Sequence, residues 1–545
     1  MSALMVTILL WAACKEAPKE EPKQEIVLLS DEDNEFVDWP LKDFGKDSIP
    51  GISLEKAYEE LNIQDSGQEV IVAVIDTKID IEHEDLKQQI FINKDEIPNN
   101  NKDDDGNGYI DDVNGWNFLG YGDNKSLYVG SGNHMKILRK YSDQFKDKDS
   151  SEISQADEKN YKRYLKALDI QKNDIDRGQG IVEYGEILAD YWKKSVDAFG
   201  DEFVNDDITR QVIDSLKPKN EEEETLVEFL GNIVDYSFQT IDFEELMTDG
   251  ALLRDSVNSF SYNERLLIGD NENDLNDTDY GNPLVHDKNF KYQHGTKIAG
   301  AIAATRNNHG GIRGASNNIK IMPISISPLG YENDKDFYLA VKYACDNGAD
   351  IINFSSGQYL AMNEDFLKKA ILYAESKDVL IVTSAGNDGV NLDKPEDNMY
   401  PLDYDENGGE FAGNLIRVGA SSSLVDENLF WAFSNYGKQN VDLFAPGTSI
   451  SVAHPGPRKY LWNREDGTSM SAAYTSGVAA LLKSHYPSLT SKEIKGILMD
   501  SGEKYDIDVL MGEELVPFES LSKSGRILNA YNALKEAASL AGKKL

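Results

Sequence analysis

Cysteine is nearly absent: two in 545 residues, Cys14 and Cys345, in settings so different that no disulfide framework follows. Positive charge is also short, with 55 Lys and Arg against 96 Asp and Glu. The resulting net charge of −41 argues against nucleic acid, because phosphate binding needs clustered cations. It favours solubility and the binding of cations. No long apolar run is present either. The N-terminal stretch Met5 to Cys14 is too short to cross a bilayer as a helix. Against these shortages, 40% hydrophobic and 10% aromatic residues make a globular composition. The length suits roughly two to four domains, or one large domain with insertions.

The N-terminal run ends in Ala12-Ala13-Cys14 and turns abruptly into Lys15-Glu16-Ala17-Pro18. That pattern resembles a bacterial lipoprotein signal, whose cysteine becomes the lipidated first residue. Trp11 is unusual there, no Lys or Arg precedes the run, and an ordinary cleaved signal is the alternative. Both imply export, and the first implies a lipid anchor in the bacterial cell envelope. Export without disulfides turns attention to metal ions as a source of stability. Residues 15–52 are charged and proline-dotted, as expected of a tether.

Ser53 precedes Leu54, Ala57, Tyr58 and Leu61, a short capped helix. Val70-Ile71-Val72-Ala73-Val74-Ile75 is then a continuous β-branched run, the pattern of a parallel strand buried on both faces, ending at Asp76. An acid at that end sits where α/β sheets place functional groups; the plain alternative is a turn-initiating Asp. Residues 103–112 have calcium-loop spacing, with side-chain oxygens at Asp103, Asp105, Asn107 and Asp111 and a backbone carbonyl at Tyr109. Position twelve is Asn114 rather than Glu and no helix pair flanks the loop, so an EF-hand is not expected. A solvated acidic turn is the competing reading.

From 125 to 283 helical periodicity takes over: Tyr161, Tyr164, Leu165, Leu168; Ile181, Tyr184, Leu188, Tyr191; Leu226, Phe229, Leu230, Ile233. This segment reads as a helical insertion without a chemical motif, a partner-binding module or a lid being equally open. After it, strands and helices alternate from Ile319 to Ser384, which implies a parallel sheet with right-handed crossovers. The expected organisation is a signal (1–14), a tether (15–52), one α/β domain in two parts (53–124 and 284–545) flanked by helices on both faces, and the insertion (125–283).

Gly467-Thr468-Ser469-Met470 opens a buried helix, so Thr468 or Ser469 is either an N-cap or Ser469 is a nucleophile. A serine nucleophile needs a base oriented by a buried carboxylate. Of seven histidines, only His294 starts a Gly-bearing helix. Asp76, His294 and Ser469 follow the order acid, base, nucleophile. Ser384-Ala385-Gly386-Asn387 adds an amide able to donate to an oxyanion.

With Val74-Ile75-Asp76-Thr77, His294-Gly295-Thr296, Phe433-Ser434-Asn435-Tyr436-Gly437 and Phe444-Ala445-Pro446-Gly447, the chain resembles the subtilisin-like serine proteases, or subtilases. The resemblance implies a triad of Asp76, His294 and Ser469, with Asn387 as oxyanion donor. It also implies a substrate clasp from Leu329-Gly330 and Ser355-Ser356-Gly357, with Ala385 and Gly386 beside it, and a structural calcium ion in the Asp-rich loop. Four neighbours depart from the family pattern. Lys78 replaces a glycine, so either a left-handed backbone there costs about 1 kcal/mol or the turn adjusts. Lys297 replaces a second histidine, Ser356 an apolar residue, and Ala473 a proline. These departures leave a second reading, a weak or inactive subtilase kept as a binding or scaffold lipoprotein.

Overall fold

The structure, a computed structural model, describes residues 37–542 apart from 62, 64–66, 123, 201–207, 236–239, 308–310, 406–407 and 457–459. The expected signal with Cys14, and the tether up to residue 36, lie outside the described residues. The chain divides into two compact units. Of the described residues, one takes 37–133, Asn263–Lys288 and those from Tyr292 onward; the other is His134–Tyr262 with Asn289–Lys291.

A nine-stranded sheet organises the first unit. In chain order its strands are β1 (Val70–Asp76), β2 (Trp116–Asn117), β3 (Ile319–Ser325), β4 (Ile351–Phe354), β5 (Leu380–Ser384), β6 (Leu415–Ser421), β7 (Leu443–Pro446), β8 (Glu503–Lys504) and β9 (Arg526–Ile527). In space they run β8-β9-β7-β6-β5-β4-β1-β3-β2. Every pair is parallel except β8 with β9. The helices used below are α1 (His294–Ala303), α2 (Asp334–Asp346), α3 (Glu364–Ser376), α4 (Thr468–His485), α5 (Ser491–Ser501) and α6 (Ala530–Leu540).

Both faces of the sheet are covered, which is why β1 needs no polar residue before its end. Val70, Val72 and Val74 enter a core with Ile298 and Ile302 of α1, Val478 and Leu482 of α4, Ile497 of α5 and Leu534 of α6. Ala73 and Ile75, on the opposite face, join Phe337 and Val341 of α2 and Leu367 and Ile371 of α3. This is the period-two alternation of a strand with apolar neighbours on each side. Each fully buried Val or Ile contributes about 1.5–3 kcal/mol over its exposed state. Asp76 is paired in register with Ser325, so β1 and β3 end at the same level. The carboxyl ends of β1, β4 and β5 therefore present Asp76, Ser355 and Ala385 along one edge of the sheet.

The second unit is helical, built from the helix Asn133–Phe145 beyond its first residue and from Glu158–Phe199, Arg210–Ser215, Glu221–Asp235 and Thr240–Leu252. Its stripes differ from the periodic reading at one place. Tyr161 and Tyr164 are buried, but Leu165 and Leu168 face water. The buried line of the long helix continues instead through Ala167, Asp174, Gly178 and Gly185. Small residues hold it because another helix crosses there: a Cβ on Gly178 would lie 2.6 Å from the Gly250 carbonyl, and one on Gly250 2.8 Å from that of Gly178. The expected cap also differs. Helix Leu54–Glu60 forms without a side-chain cap, because the Ser53 hydroxyl donates to Asp43 Oδ2 at 2.9 Å instead.

Candidate active site

Asp76 closes β1 with 3% of its surface exposed, and Thr77 donates its backbone N–H to Asp76 Oδ1 at 2.6 Å. Both carboxylate oxygens lie 2.8 Å from Nδ1 of His294, the first residue of α1. The start of α1 is fastened to the end of β1 at several points. Gly295 donates its N–H to Thr77 Oγ1 at 2.9 Å, and Asp80 donates its N–H to Thr296 Oγ1 at 2.9 Å. A Cβ on Gly295 would meet the Thr77 carbonyl at 2.6 Å. The His-Gly-Thr sequence is thus what lets the helix approach this closely. The imidazole keeps 39% of its side chain exposed. Burial opposes its protonation, but the charge and hydrogen bond of Asp76, with the charge of Glu465, outweigh burial and the opposing Lys297 and raise its pKa above the ordinary 6.5.

Ser469 is the second residue of α4. Gly467 takes the cap position and no side-chain cap bond is made, so neither Thr468 nor Ser469 is an N-cap. Thr468 is a clamp. Its N–H and hydroxyl both donate to Asn387 Oδ1, at 3.0 and 2.8 Å, and it accepts from the Gly386 N–H at 3.0 Å. With its oxygen held this way, the Asn387 amide nitrogen is left to donate elsewhere. Gly386 takes φ +99°, a conformation glycine adopts without a Cβ penalty. Asn435, from the Ser-Asn-Tyr-Gly segment, braces the loop by donating to the Ala385 carbonyl at 2.9 Å and accepting from the N–H groups of Asp388 and Val390. Thr468 and Asn435 escaped the sequence reading as individuals, although both sit in motifs it singled out.

The Ser469 hydroxyl donates to the Ser355 carbonyl at 3.1 Å, and the Ser355 hydroxyl returns a bond to the Ser469 carbonyl at 3.1 Å. The start of α4 and the end of β4 are thereby locked together. Leu329 and Gly330 pair in parallel with Val129 and Gly130, and Leu329 donates its N–H to the Tyr128 carbonyl at 2.7 Å. Gly357 packs against Met399, whose Cε would be 2.5 Å from a Cβ there.

The four departures have structural accounts. Lys78 is not in the left-handed region, so the anticipated strain does not arise. Its ammonium stands 6.0 Å over the Tyr292 ring, and burial lowers its pKa. Lys297, one turn beyond His294, pairs with Glu465 Oε2 at 2.7 Å. Ser356 donates its hydroxyl to Glu332 Oε1 at 2.7 Å. Ala473 is fully buried in the unbroken helix α4.

The Asp-rich loop gathers a different set of carboxylates from the one its spacing suggested. Glu96, Asp105 and Asp112 bring one oxygen each within 4.8 Å of one another. Asp103 is spent on the loop backbone, accepting from the N–H groups of Gly106, Asn107 and Gly108 at 2.6, 3.1 and 2.9 Å. Asp111 accepts from Asn100 and Asn101 at 3.0 and 2.9 Å. Asn107 donates its amide to Asp105 and Asp112, and Tyr109 packs its ring on Trp116 and Tyr343. Glu96 Oε2 is buried without a hydrogen-bond partner. Burial, with the charge of Asp105, raises the Asp112 pKa against hydrogen bonds from Tyr343, Asn107 and Asn93. Three convergent carboxylates, one of them with an unpartnered buried oxygen, fit a hard, oxygen-seeking cation.

A buried carboxylate holds an imidazole at the edge of a parallel α/β sheet, and the Ser469 hydroxyl, at the start of α4, is bonded to the Ser355 carbonyl. The subtilase family model matches residues 168–520, a span that holds His294 and Ser469. Among curated relatives, the major intracellular serine protease of Bacillus subtilis is 32% identical over 240 residues, covering 41% of this chain and 69% of that protein. The thermophilic serine proteinase of Bacillus sp. (strain AK1) is 33% identical over 243 residues, 44% of this chain and 52% of its own. Subtilisin DY of Bacillus licheniformis is 28% identical over 232 residues, 42% and 77%. The chain belongs to the subtilase family, and it is a serine-type endopeptidase.

Proposed function

We propose that the chain hydrolyses peptide bonds through an acyl-enzyme formed on Ser469, with His294 as general base and acid and Asp76 orienting the imidazole. The observation that carries this is the Asp76–His294 pair at 2.8 Å through both carboxylate oxygens. It holds Nδ1 as the protonated nitrogen and leaves Nε2 as the base. Substrate binding turns the Ser469 hydroxyl from the Ser355 carbonyl toward Nε2, and the oxygen attacks the scissile carbonyl as its proton passes to His294. The tetrahedral oxyanion is met by the Asn387 amide and by N–H groups at the start of α4, where the helix dipole favours negative charge. His294 then returns the proton to the leaving amine, and water repeats the sequence to release the acid.

The peptide backbone lies extended between Leu329–Gly330 and Ser355–Gly357, beside Ala385 and Gly386, adding a strand to each. A calcium ion held by Glu96, Asp105 and Asp112 stabilises the 93–112 loop and takes no part in catalysis. The insertion between the two parts of the peptidase domain is the helical stretch 134–262, shorter at both ends than the expected 125–283, and the chain is exported and lipid-anchored through Cys14. A fluorophosphonate probe tests the core of this reading. It is expected to label the folded protein at Ser469, and both labelling and hydrolysis of casein should vanish in Ser469→Ala. Hydrolysis that survives this substitution, or absent labelling of the folded wild type, refutes it and favours the scaffold reading.

A further inference from the structure

We propose that Glu332 forms the floor of a subsite for a cationic side chain, lysine or arginine, of the substrate peptide. The inference rests on the reading that Leu329–Gly330 and Ser355–Gly357 clasp the peptide. Glu332 follows the first of these segments by two residues and reaches across to the second. Its Oε1 accepts from Ser327 Oγ at 2.9 Å and from Ser356 Oγ at 2.7 Å. A side chain that joins both walls of a slot lies beneath whatever the slot holds.

The two oxygens of this carboxyl are used unequally. Both hydroxyls sit on Oε1, while Oε2 has a long contact of 3.5 Å with Gln358 Nε2. The leading influences on the group are burial, the two serines, its own backbone and the negative charge of Asp76, and among the described residues it makes no ion pair with a Lys or Arg. The charged residues that follow it are already matched. Asp334 accepts from Asn133 Nδ2 at 2.8 Å and from the Asn363 N–H at 2.6 Å. Lys335 is paired with Asp270, and Asp336 with Arg265. Glu332, 8% exposed, is the carboxyl in this run that has hydroxyls where a counter-charge belongs.

A carboxylate taken from water without a cation is costly, and burial accordingly pushes the Glu332 pKa up. A guanidinium or ammonium arriving with the substrate supplies the missing charge. Charge-assisted hydrogen bonds to Oε2 then form in a setting screened from salt. Longer-range fields act in the same direction, since the chain carries a net charge of −41 and draws basic peptides toward it. Ser356 is part of the same device. A hydroxyl in the peptide-binding wall, where an apolar side chain would exclude charge, anchors the carboxyl and keeps the floor polar.

The test digests a proteome-derived peptide library with the full-chain protein and aligns the cleaved sequences. Lysine and arginine are expected to be enriched at one fixed position relative to the cut bond, and Glu332→Gln should reduce that enrichment about tenfold. A second measurement needs no variant. The ratio of kcat/KM for an arginine peptide to that for its norleucine counterpart should fall as pH is lowered and Glu332 takes up a proton. Wild-type cleavage without basic enrichment, an enrichment unchanged in Glu332→Gln, or a ratio flat with pH overturns the proposal. Fluorophosphonate labelling separates the two levels of inference. A labelled Ser469 without basic preference removes this subsite alone, whereas an unlabelled Ser469 removes the active-site reading and the subsite with it.

Discussion

Lys297 and Glu465 connect the helix that carries His294 to the strand Tyr460–Glu465, which precedes Ser469 in the chain, and removing one of them is expected to be costly. Their charged atoms are 2.7 Å apart, with 8% and 12% of the side chains exposed. Deleting one partner of such a pair leaves the other charge buried, at a cost of about 3–5 kcal/mol. Replacing both by apolar side chains of similar size is often nearly neutral. Lys297→Met and Glu465→Leu should therefore each destabilise strongly in urea titrations, and the double variant should recover most of the loss. Ser469→Ala serves as the background, to prevent self-digestion.

With His294 as the proposed general base, the same pair also shifts the acid limb of activity. The imidazole accepts a proton only when neutral, so activity rises with pH through the His294 pKa. Glu465 raises that pKa and Lys297 lowers it. In the catalytically intact protein, the acid limb of Ser469 labelling should move to lower pH in Glu465→Leu and to higher pH in Lys297→Met. The reasoning fails if the double variant costs as much as the two single ones together, or if both acid limbs move the same way.

Two further outcomes follow from local geometry. Gly295→Ala sets a methyl 2.6 Å from the Thr77 carbonyl. Backbone must move, so we expect a loss of about 1–3 kcal/mol and a fall in labelling rate of about a hundredfold as His294 shifts. A thermal melt and labelling rate equal to wild type would contradict the close approach. At the Asp-rich loop, excess calcium should raise the stability of wild type by about 2.7 kcal/mol at a hundredfold over its dissociation constant. Asp112→Asn should abolish that increment, whereas Asp103→Asn should lower stability with and without calcium, because its carboxylate serves backbone N–H groups. Calcium dependence lost in Asp103→Asn but kept in Asp112→Asn would return the site to the set read from spacing.

The amino-acid sequence by itself determined the architecture. Val70–Ile75 has no reason to be apolar on consecutive positions unless helices cover both faces, and the alternation from Ile319 to Ser384 leaves a parallel sheet as the consistent arrangement. It also named Asp76, His294 and Ser469 as residues with unusual placements, because a carboxylate at a strand end and small residues at two helix starts are local signals. Other features were not legible. Lys297 stood out as a departure, but its partner Glu465 is 168 positions away. Ser356 has a role only through Glu332, and the periodicity that includes Leu165 misses the buried line through Ala167 and Gly178. In the Asp-rich loop the spacing identified a cation-like turn, yet Glu96 and Asp112 converge with Asp105 while Asp103 and Asp111 are taken up by backbone. Periodicity and turn residues are properties of neighbours along the chain, so sequence displays them. Which charges meet, which glycines let two helices touch and which carboxylate is left without a cation depend on distant segments brought within a few ångströms, and only the tertiary structure decides those.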